Sequence, residues 1–308
     1  MKKLLSIILL TTIAISSLMA KEIKGTVKDT EGKGVAGVVV SDGLNTVVTD
    51  SKGRFKMDAD QDSRFVFVST PSGYISSTLG GKMLFYKEIK DEVRKYDFII
   101  EKNAKDDTNH NVIVIADPQI SERSELADLA KQSEDMAEFV GGMDGDYTFG
   151  ICLGDIVGWD HSIYPEYNRI MSKAGIDYRY VIGNHDMTNW GRSYETSMKN
   201  YGDMYGPAWY SFNVGNVLRA SKRRGIKFNA LLCWCIGKAA SHIKEFYILP
   251  EKDKLFQYDS LAINVIVNNC KGGINSCDIA YTDDIGQFAN AYNRLTTQAA
   301  TQCESSFL

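Results

Sequence analysis

Three short polar motifs each follow an apolar run of the chain: Asp117-Pro-Gln119, Gly154-Asp155 and Gly183-Asn184-His185-Asp186. Their side chains combine carboxylate and amide oxygens with an imidazole. Such a donor set suits a divalent cation that must also hold phosphate oxygens. Each motif alone is typical of a turn or a helix cap, but three of them after successive apolar runs are harder to explain as turns.

The elements that must position these motifs follow from the hydrophobic pattern. The apolar runs predict three buried strands, at 111–116, 147–153 and 178–182. Apolar residues at helical spacing and the flanking turn residues predict helices at 125–140, 165–173 and 193–200. This alternation predicts a parallel sheet covered on both faces. Because ligands bind outside the carboxyl ends of strands in such sheets, the three motifs should converge on one crevice.

Residues 21–102 have a different pattern, with period-two alternation and glycine-containing turns. Short strands are predicted at 22–28, 35–41, 45–50, 54–57 and 64–69. Regularly spaced strands of this kind predict a small β-sandwich. No cluster of ionisable residues in it calls for chemistry, so positioning or surface attachment is the preferred interpretation. The polar stretch at 103–110 is predicted to be a linker.

Both parts of the chain resemble a known family. The pattern G-x-V-x-D-x-x-G-x-G-V-x-G-x-x-V, followed by T-D-x-x-G-x-F, resembles the carboxypeptidase-regulatory-like domain that precedes some bacterial enzymes. The order D-x-[HQ], G-D-x-x-x-x-D and G-N-H-D resembles the calcineurin-like metallophosphoesterases, including a bacterial branch that carries such an N-terminal domain. The resemblance covers about residues 22–214, where Tyr205–Val214 looks like the next strand of the family.

The resemblance implies a role for each motif residue. Asp117 and Gln119 would bind a first metal, with Gln119 standing where many family members have His. Asp155 would bridge two metals. Asn184 would bind the second metal and contact phosphate. His185 would protonate the leaving alkoxide or stabilise the transferring group, while a metal-activated hydroxide attacks phosphorus.

Four further residues near the motifs could support these ligands: Asp160, Asp186, His161 and Trp159. For each of them a purely structural role is the favoured interpretation. The implied cofactors are divalent ions of Mn, Fe or Zn, and the family uses two. A phosphoester of a small molecule is the implied substrate.

The family pattern also requires histidines that this chain does not supply. Family members carry a further His at a strand end and a Gly-His-x-His segment, whereas the only histidine after His185 is His242. The usual two-metal site is therefore incomplete, and one metal or none is expected to bind. The chain is expected to hydrolyse phosphoesters poorly or not at all.

Residues 218–308 follow no pattern that points to a function. The strand and helix alternation is lost there, and five of the six cysteines lie in this region. A disrupted reading frame and a genuine C-terminal half with disulfides such as Cys270–Cys277 both explain the change. A zinc site at Cys233-x-Cys235 is disfavoured because the usual ligand spacing is absent. A strand is predicted at 261–267.

Residues 1–20 are predicted to be a cleaved signal peptide, since Lys2 and Lys3 precede an apolar run and small residues lead to Ala20. The run is shorter than the roughly 20 residues that a membrane span needs, and no nearby cysteine offers a lipid attachment point. We therefore expect a periplasmic or secreted bacterial protein with no stable membrane span after cleavage. The formal net charge of -4 argues against nucleic acid as a partner.

Together these observations predict an α/β protein with an N-terminal small β-sandwich (21–102), the linker, an incomplete metallophosphoesterase-type α/β sandwich (111–217) and an unrecognised region (218–308). The predicted function is exported, metal-dependent hydrolysis of a phosphomonoester or phosphodiester. The alternative is a catalytically dead relic or surface-binding module that keeps the front half of the fold. A nucleotide-binding oxidoreductase is disfavoured because the G-x-G-x-x-G at Gly32–Gly37 lies in a turn of the predicted β-sandwich and opens no predicted helix.

Overall fold

The computed structural model describes residues 21–79, 81–107, 109–143, 145–188, 191–213, 216–251 and 254–306. Two compact units divide the chain after Asn213. The predicted signal peptide at residues 1–20 lies outside the described residues. Within the part of the chain that the structure describes, no helix has both the length and the apolar character needed to cross a bilayer.

The first unit begins with a two-sheet β region. Its strands are β1 (Lys21–Asp29), β2 (Val39–Ser41), β3 (Thr46–Val48), β4 (Arg54–Ala59), β5 (Phe65–Ser69), β6 (Tyr74–Ser76), β7 (Thr78–Leu79), β8 (Lys82–Met83), β9 (Tyr86–Glu88) and β10 (Phe98–Lys102). One sheet has the order β4-β1-β10-β6 and the other the order β3-β2-β5-β9, with β7 and β8 forming a separate pair. The predicted N-terminal β-sandwich is confirmed.

Alternation along the strands explains how these two sheets form one core. In β1, Ile23 and Val27 are fully buried, and their polar neighbours are more exposed. Val40 of β2 and Phe98 and Ile100 of β10 belong to the same buried cluster. Alternate residues of a strand point to the same face of its sheet. The apolar residues therefore line the inner faces of the two sheets, which pack against each other.

A buried carboxylate in this β region gives a prediction about pH. Asp42 is 5% exposed and accepts hydrogen bonds from the backbone N–H groups of Leu44 (2.9 Å), Asn45 (2.6 Å) and Asp60 (2.7 Å). Burial alone would raise the pKa of Asp42, but these hydrogen bonds act in the opposite direction, so its pKa lies below the ordinary value.

We expect Asp42→Ala to lower the free energy of unfolding by about 1–3 kcal/mol at neutral pH, because it leaves buried donors unpaired. A depressed folded pKa stabilises the protein above the unfolded pKa of about 3.9, and this contribution is lost as the pH falls through the folded pKa. Urea unfolding at neutral and acidic pH should show the variant approaching wild type in acid. The exposed Asp58→Ala is the control, and an Asp42→Ala deficit that does not change with pH would contradict the assignment.

The rest of the first unit alternates strands and helices. Its elements are β11 (His110–Ile115), α1 (Leu126–Gly141), β12 (Tyr147–Cys152), α2 (Tyr164–Met171), β13 (Tyr178–Tyr180), α3 (Tyr194–Ser197) and α4 (Lys199–Tyr205). Short 3-10 turns lie at Arg123–Glu125, His161–Ile163 and Ser172–Ala174. The sheet has the order β11-β12-β13, and both pairings are parallel. The predicted α/β class is confirmed, and the three motifs follow the three strands of this sheet.

Helices cover this sheet less completely than the sequence predicts. Val112 and Val114 of β11 are 40% and 46% exposed, and Leu153, next to the end of β12, is 49% exposed. The expectation of a sheet covered on both faces is therefore wrong at these positions. The other face packs in a core with Leu129 of α1 and Tyr167 of α2.

The predicted strand at Tyr205–Val214 is absent from the residues described there, 205–213. Tyr205 instead ends α4, and Gly206 has φ +86 before Pro207, a combination that interrupts an extended strand. The aromatic residues that suggested a strand pack individually, with the Phe212 ring 3.9 Å from the Arg179 guanidinium carbon. Phe212 forms only an isolated bridge, with Thr70.

The second unit consists of helices and two β-hairpins. Its elements are α5 (Asn216–Arg224), α6 (Phe228–Ala240), a 3-10 turn (Lys244–Tyr247), β14 (Ile248–Glu251), β15 (Lys254–Gln257), β16 (Ala262–Asn268), β17 (Ile274–Ala280) and α7 (Ile285–Gln302). Its core includes Ala230, Ile279, Phe288 and Tyr292. The strand predicted at 261–267 is present as β16.

Candidate functional site

Backbone hydrogen bonds join the loops that follow β11 and β12. The Gln119 N–H donates to the Asp155 carbonyl oxygen over 2.8 Å, and the Gly158 N–H donates to the Ile120 carbonyl oxygen over the same distance. Ile120 and Val157 also form a parallel bridge. The first two motifs therefore lie side by side, as expected from neighbouring parallel strands.

Asp155 also connects the second motif to the third. Its Oδ1 accepts a hydrogen bond from the His185 backbone N–H over 2.8 Å. A Cβ added at Gly183 would lie 2.1 Å from this Oδ1 and 2.2 Å from the Asp155 nitrogen. Only glycine leaves space for so close an approach, which explains the Gly of the Gly-Asn-His-Asp motif in physical terms.

Asp186 fixes the same two loops from below the surface. It is fully buried and accepts hydrogen bonds from the backbone N–H groups of Ile156 (3.1 Å) and Gly183 (2.9 Å) and from the Tyr164 hydroxyl (2.9 Å). Burial raises the pKa of Asp186 above its ordinary value, although the hydrogen bonds act against the increase. Burial likewise raises the pKa of Tyr164, which keeps its hydroxyl a donor.

The His161 ring supports the third motif by contacting the backbone of His185. Its Nε2 lies 2.9 Å from the His185 carbonyl oxygen, and its Nδ1 lies 2.9 Å from the Asn200 side-chain nitrogen. An amide nitrogen that donates to Nδ1 leaves the proton on Nε2, which then donates to the carbonyl. The His161 ring also stacks on Tyr164 at an interplanar angle of 3°.

Backbone strain is concentrated in these loops. Among the described residues, five that are not glycine have positive φ, and four of them belong to the first two motif loops: Asp117 (+48°), Gln119 (+46°), Asp155 (+47°) and Trp159 (+91°). Such conformations are uncommon for residues with a side chain, and for a bulky Trp they are outliers. Strain of this kind persists only where the surrounding structure holds it, and it often marks functional sites.

The predicted ligands differ in exposure. Asp155 is 8% exposed, Gln119 is half-buried, and Asp117 and Asn184 are exposed. Across the described ranges, no group of three or more His, Cys, Asp or Glu side chains could hold a metal ion. The candidate set has two carboxylates, and its other oxygens come from the amides of Gln119 and Asn184. Carboxylate and amide oxygens are ligands that hard cations prefer, so the chemistry of these side chains fits a hard cation held by few charges.

The imidazole of His185 lies beside an exposed aromatic ring. The ring centroids of His185 and Trp159 are 4.3 Å apart, and Trp159 is 44% exposed. In the described part of the chain, no group forms a hydrogen bond with the buried Nδ1 of His185. An unpaired buried nitrogen is unfavourable unless it serves another purpose, so this side chain is a candidate for contact with a ligand.

Asp160 has a local structural contact. Its Oδ1 accepts hydrogen bonds from the Ser162 N–H (3.1 Å) and the Ser162 hydroxyl (2.6 Å), which caps the 3-10 turn at His161–Ile163.

Sequence reasoning missed Tyr164 and Asn200, which contact Asp186 and His161, respectively. Neither residue lies in a polar motif at a strand end, so only the folded contacts show their roles.

The comparison with known families bears on the β region. Residues 21–103 match a family model described as the N terminal of calcineurin-like phosphoesterase. This region is therefore similar to the N-terminal domain of calcineurin-like phosphoesterases. A search of curated proteins found no match to the chain. The recognised resemblance to the calcineurin-like phosphoesterases is thereby supported, and the three motifs lie beyond the matched domain.

Proposed function

We propose that this chain is a metal-dependent phosphoesterase that hydrolyses a small-molecule phosphomonoester or phosphodiester. The match to a calcineurin-like phosphoesterase N-terminal domain supports a hydrolase of this type. The observation that carries the proposal further is the position of Asp155. It accepts a hydrogen bond from Gln119 through its carbonyl and from His185 through its carboxylate, so one residue joins all three motifs.

Asp117, Gln119, Asp155 and Asn184 would hold the cation, which we propose to be a single divalent ion of Mn, Fe or Zn. When bound, a divalent cation would polarise the phosphoryl group as a Lewis acid and would lower the pKa of water towards 7. Asp155 contributes the least exposed carboxylate of the set, where its charge is screened least by solvent. The amide oxygens of Gln119 and Asn184 add ligands without adding charge.

His185 would act on the phosphoester itself. Asp155 accepts a hydrogen bond from its backbone N–H, and His161 contacts its carbonyl oxygen, so the main chain of His185 is held on both sides. The imidazole would donate a proton to the leaving oxygen or a hydrogen bond to the transferring phosphoryl group. Trp159, packed against this ring, would restrict how it turns.

A second candidate function is a binding module that keeps the fold without catalysis. The exposure of Asp117 and Asn184 and the small number of charged ligands favour this alternative.

We also propose that residues 1–20 direct export to the periplasm or the medium, with cleavage after Ala20. The apolar run behind Lys2 and Lys3 supports this part of the proposal.

Metal binding by Asp155 variants tests the proposal. We expect calorimetry to detect weak binding of Mn²⁺ or Zn²⁺ to the wild-type chain and no binding to Asp155→Ala, because the variant loses the buried carboxylate. Asp155→Asn keeps an acceptor for the His185 N–H and separates loss of charge from loss of fold. It should weaken binding by roughly 10-fold or more.

Asp160→Ala is the matched control for these variants, since it removes an exposed carboxylate five residues away that caps a turn. We expect it to lower the free energy of unfolding by about 0.5–2 kcal/mol and to leave metal affinity unchanged. Unchanged stoichiometry and affinity in a folded Asp155→Ala chain would rule out this metal site.

A further inference from the structure

Two cysteines of the second unit have their sulfur atoms in contact. The Sγ atoms of Cys270 and Cys303 are 3.0 Å apart, although 33 residues separate them in sequence. Cys270 lies in the turn between β16 and β17, and Cys303 directly follows α7. Movement of about 1 Å would bring the two sulfur atoms to the length of a disulfide bond, about 2.05 Å.

Backbone hydrogen bonds hold both sides of this pair. The Cys270 N–H donates to the Ala300 carbonyl oxygen over 2.9 Å, so the hairpin turn is attached to the last turn of α7. After Cys303, the Ser306 N–H donates to the Ser276 carbonyl oxygen over 2.9 Å and the Asp278 N–H donates to the Ser306 carbonyl oxygen over 2.8 Å. The chain beyond α7 is therefore paired with β17, and the contact between the sulfur atoms is fixed from two directions.

The other cysteines do not share this arrangement. Cys277 is fully buried, and its Sγ lies 3.6 Å from the Leu295 carbonyl oxygen. It faces the core, whereas Cys270 is exposed, so the structure favours Cys303 over Cys277 as the partner of Cys270. Cys233 and Cys235 lie two residues apart on α6, a spacing that does not place side chains on one helix face.

We propose that Cys270 and Cys303 form a structural disulfide that attaches the β16–β17 hairpin to the end of α7. The oxidant is a small-molecule disulfide such as glutathione disulfide. A thiolate attacks its S–S bond, a mixed disulfide forms and one glutathione leaves. The second thiol of the pair then displaces the other glutathione. Two thiols lose two protons and two electrons, and one glutathione disulfide becomes two molecules of glutathione.

The contact between the two thiols gives either of them a partner in this sequence. The thiolate is the nucleophile, so whichever of the two is deprotonated attacks the small-molecule disulfide first. The other thiol, with its sulfur 3.0 Å away, then completes the protein disulfide.

The experiment uses the purified full-length chain in a buffer of reduced and oxidised glutathione, followed by trapping of free thiols and peptide mapping without reductant. We expect one linked peptide pair that contains Cys270 and Cys303. Cys270→Ser and Cys303→Ser should form no link between the two positions, and each should accumulate a glutathionyl group on the cysteine that remains. Cys235→Ser, which removes an exposed cysteine outside the pair, should form the link as wild type does.

Hydrogen exchange measures what the link stabilises. Closing the loop from 270 to 303 restricts the unfolded chain, so reduction should speed amide exchange in α7 and β17 by roughly 10²-fold. Cys270→Ser should exchange like the reduced wild type. Complete alkylation of both thiols after oxidation, or a link from Cys270 to Cys277, would overturn the assignment. Equal exchange rates with and without the bond would overturn its structural role.

Discussion

Gly183→Ala is expected to lower the free energy of unfolding by about 1–3 kcal/mol. It is also expected to abolish metal binding at the proposed site of Asp117, Gln119, Asp155 and Asn184. The added Cβ would lie 2.1 Å from the Asp155 Oδ1 and 2.2 Å from the Asp155 nitrogen. Both atoms belong to a residue that is itself fixed, by Gln119 on one side and His185 on the other. One loop must therefore move, and overpacking of this kind has the stated cost.

Gly154 makes this clash harder to relieve. It has φ +93, and a Cβ there would meet the Gly183 Cα at 2.8 Å, so the two glycines approach each other without side chains. Displacing Gly183 away from Asp155 also breaks its hydrogen bond to Asp186 (2.9 Å). The clash is therefore expected to move Asp155, a proposed metal ligand, and not only the glycine.

Chemical denaturation and calorimetry on the same samples check both parts of the expectation. Gly141→Ala is the matched control, because a Cβ added at the end of α1 meets nothing within 4 Å. It should stay within about 1 kcal/mol of wild type and bind metal normally. A Gly183→Ala chain with wild-type stability and metal affinity would show that the loops do not approach as closely as described.

The strands of the candidate site could be predicted because they are short, apolar and bounded by polar turns. The prediction at 147–153 corresponds to β12, and the prediction at 111–116 to β11. Parallel pairing then follows from the intervening helices, and with it the meeting of the motifs at one edge of the sheet. Local pattern was sufficient here because a short apolar run between polar turns favours a strand, even in β11, where part of the run stays exposed.

Contacts between distant residues could not be read in the same way. Tyr164 opens α2 and donates to Asp186, 22 residues later. Asn200 lies in α4 and contacts His161, 39 residues earlier. Neither residue has a local pattern that distinguishes a functional contact from ordinary helix surface or core, since both depend on how the helices pack.

The error at Tyr205–Val214 has a similar origin. Aromatic residues in an alternating segment suggest a strand, but they suit any half-buried surface. Here Tyr210 donates from its hydroxyl to the Tyr180 carbonyl oxygen (2.8 Å) and packs on Phe85 with ring centroids 4.8 Å apart. The side chains are held by partners on several elements, so the segment needs no ladder of its own.

Truncation of His185 should separate catalysis from metal binding. We expect His185→Ala to lower metal-dependent turnover of an aryl phosphate by roughly 10²–10⁴-fold, the usual contribution of a positioned general acid. Metal affinity should stay near the wild-type value. The reason is that His185 contacts Asp155 through its backbone N–H, which alanine keeps. Asp155→Ala, in contrast, should lose both turnover and metal.

His242→Ala is the matched control, since the Nδ1 of this exposed histidine lies 2.7 Å from the Lys238 carbonyl oxygen within the second unit. It should leave turnover unchanged. Wild-type turnover is expected to be slow, because few charged ligands would hold the proposed cation. If the wild-type chain binds metal through Asp155 but shows no turnover, the His185→Ala comparison has nothing to measure. That result would favour the binding module over the hydrolase, because the loops would then hold a cation without acting on phosphorus.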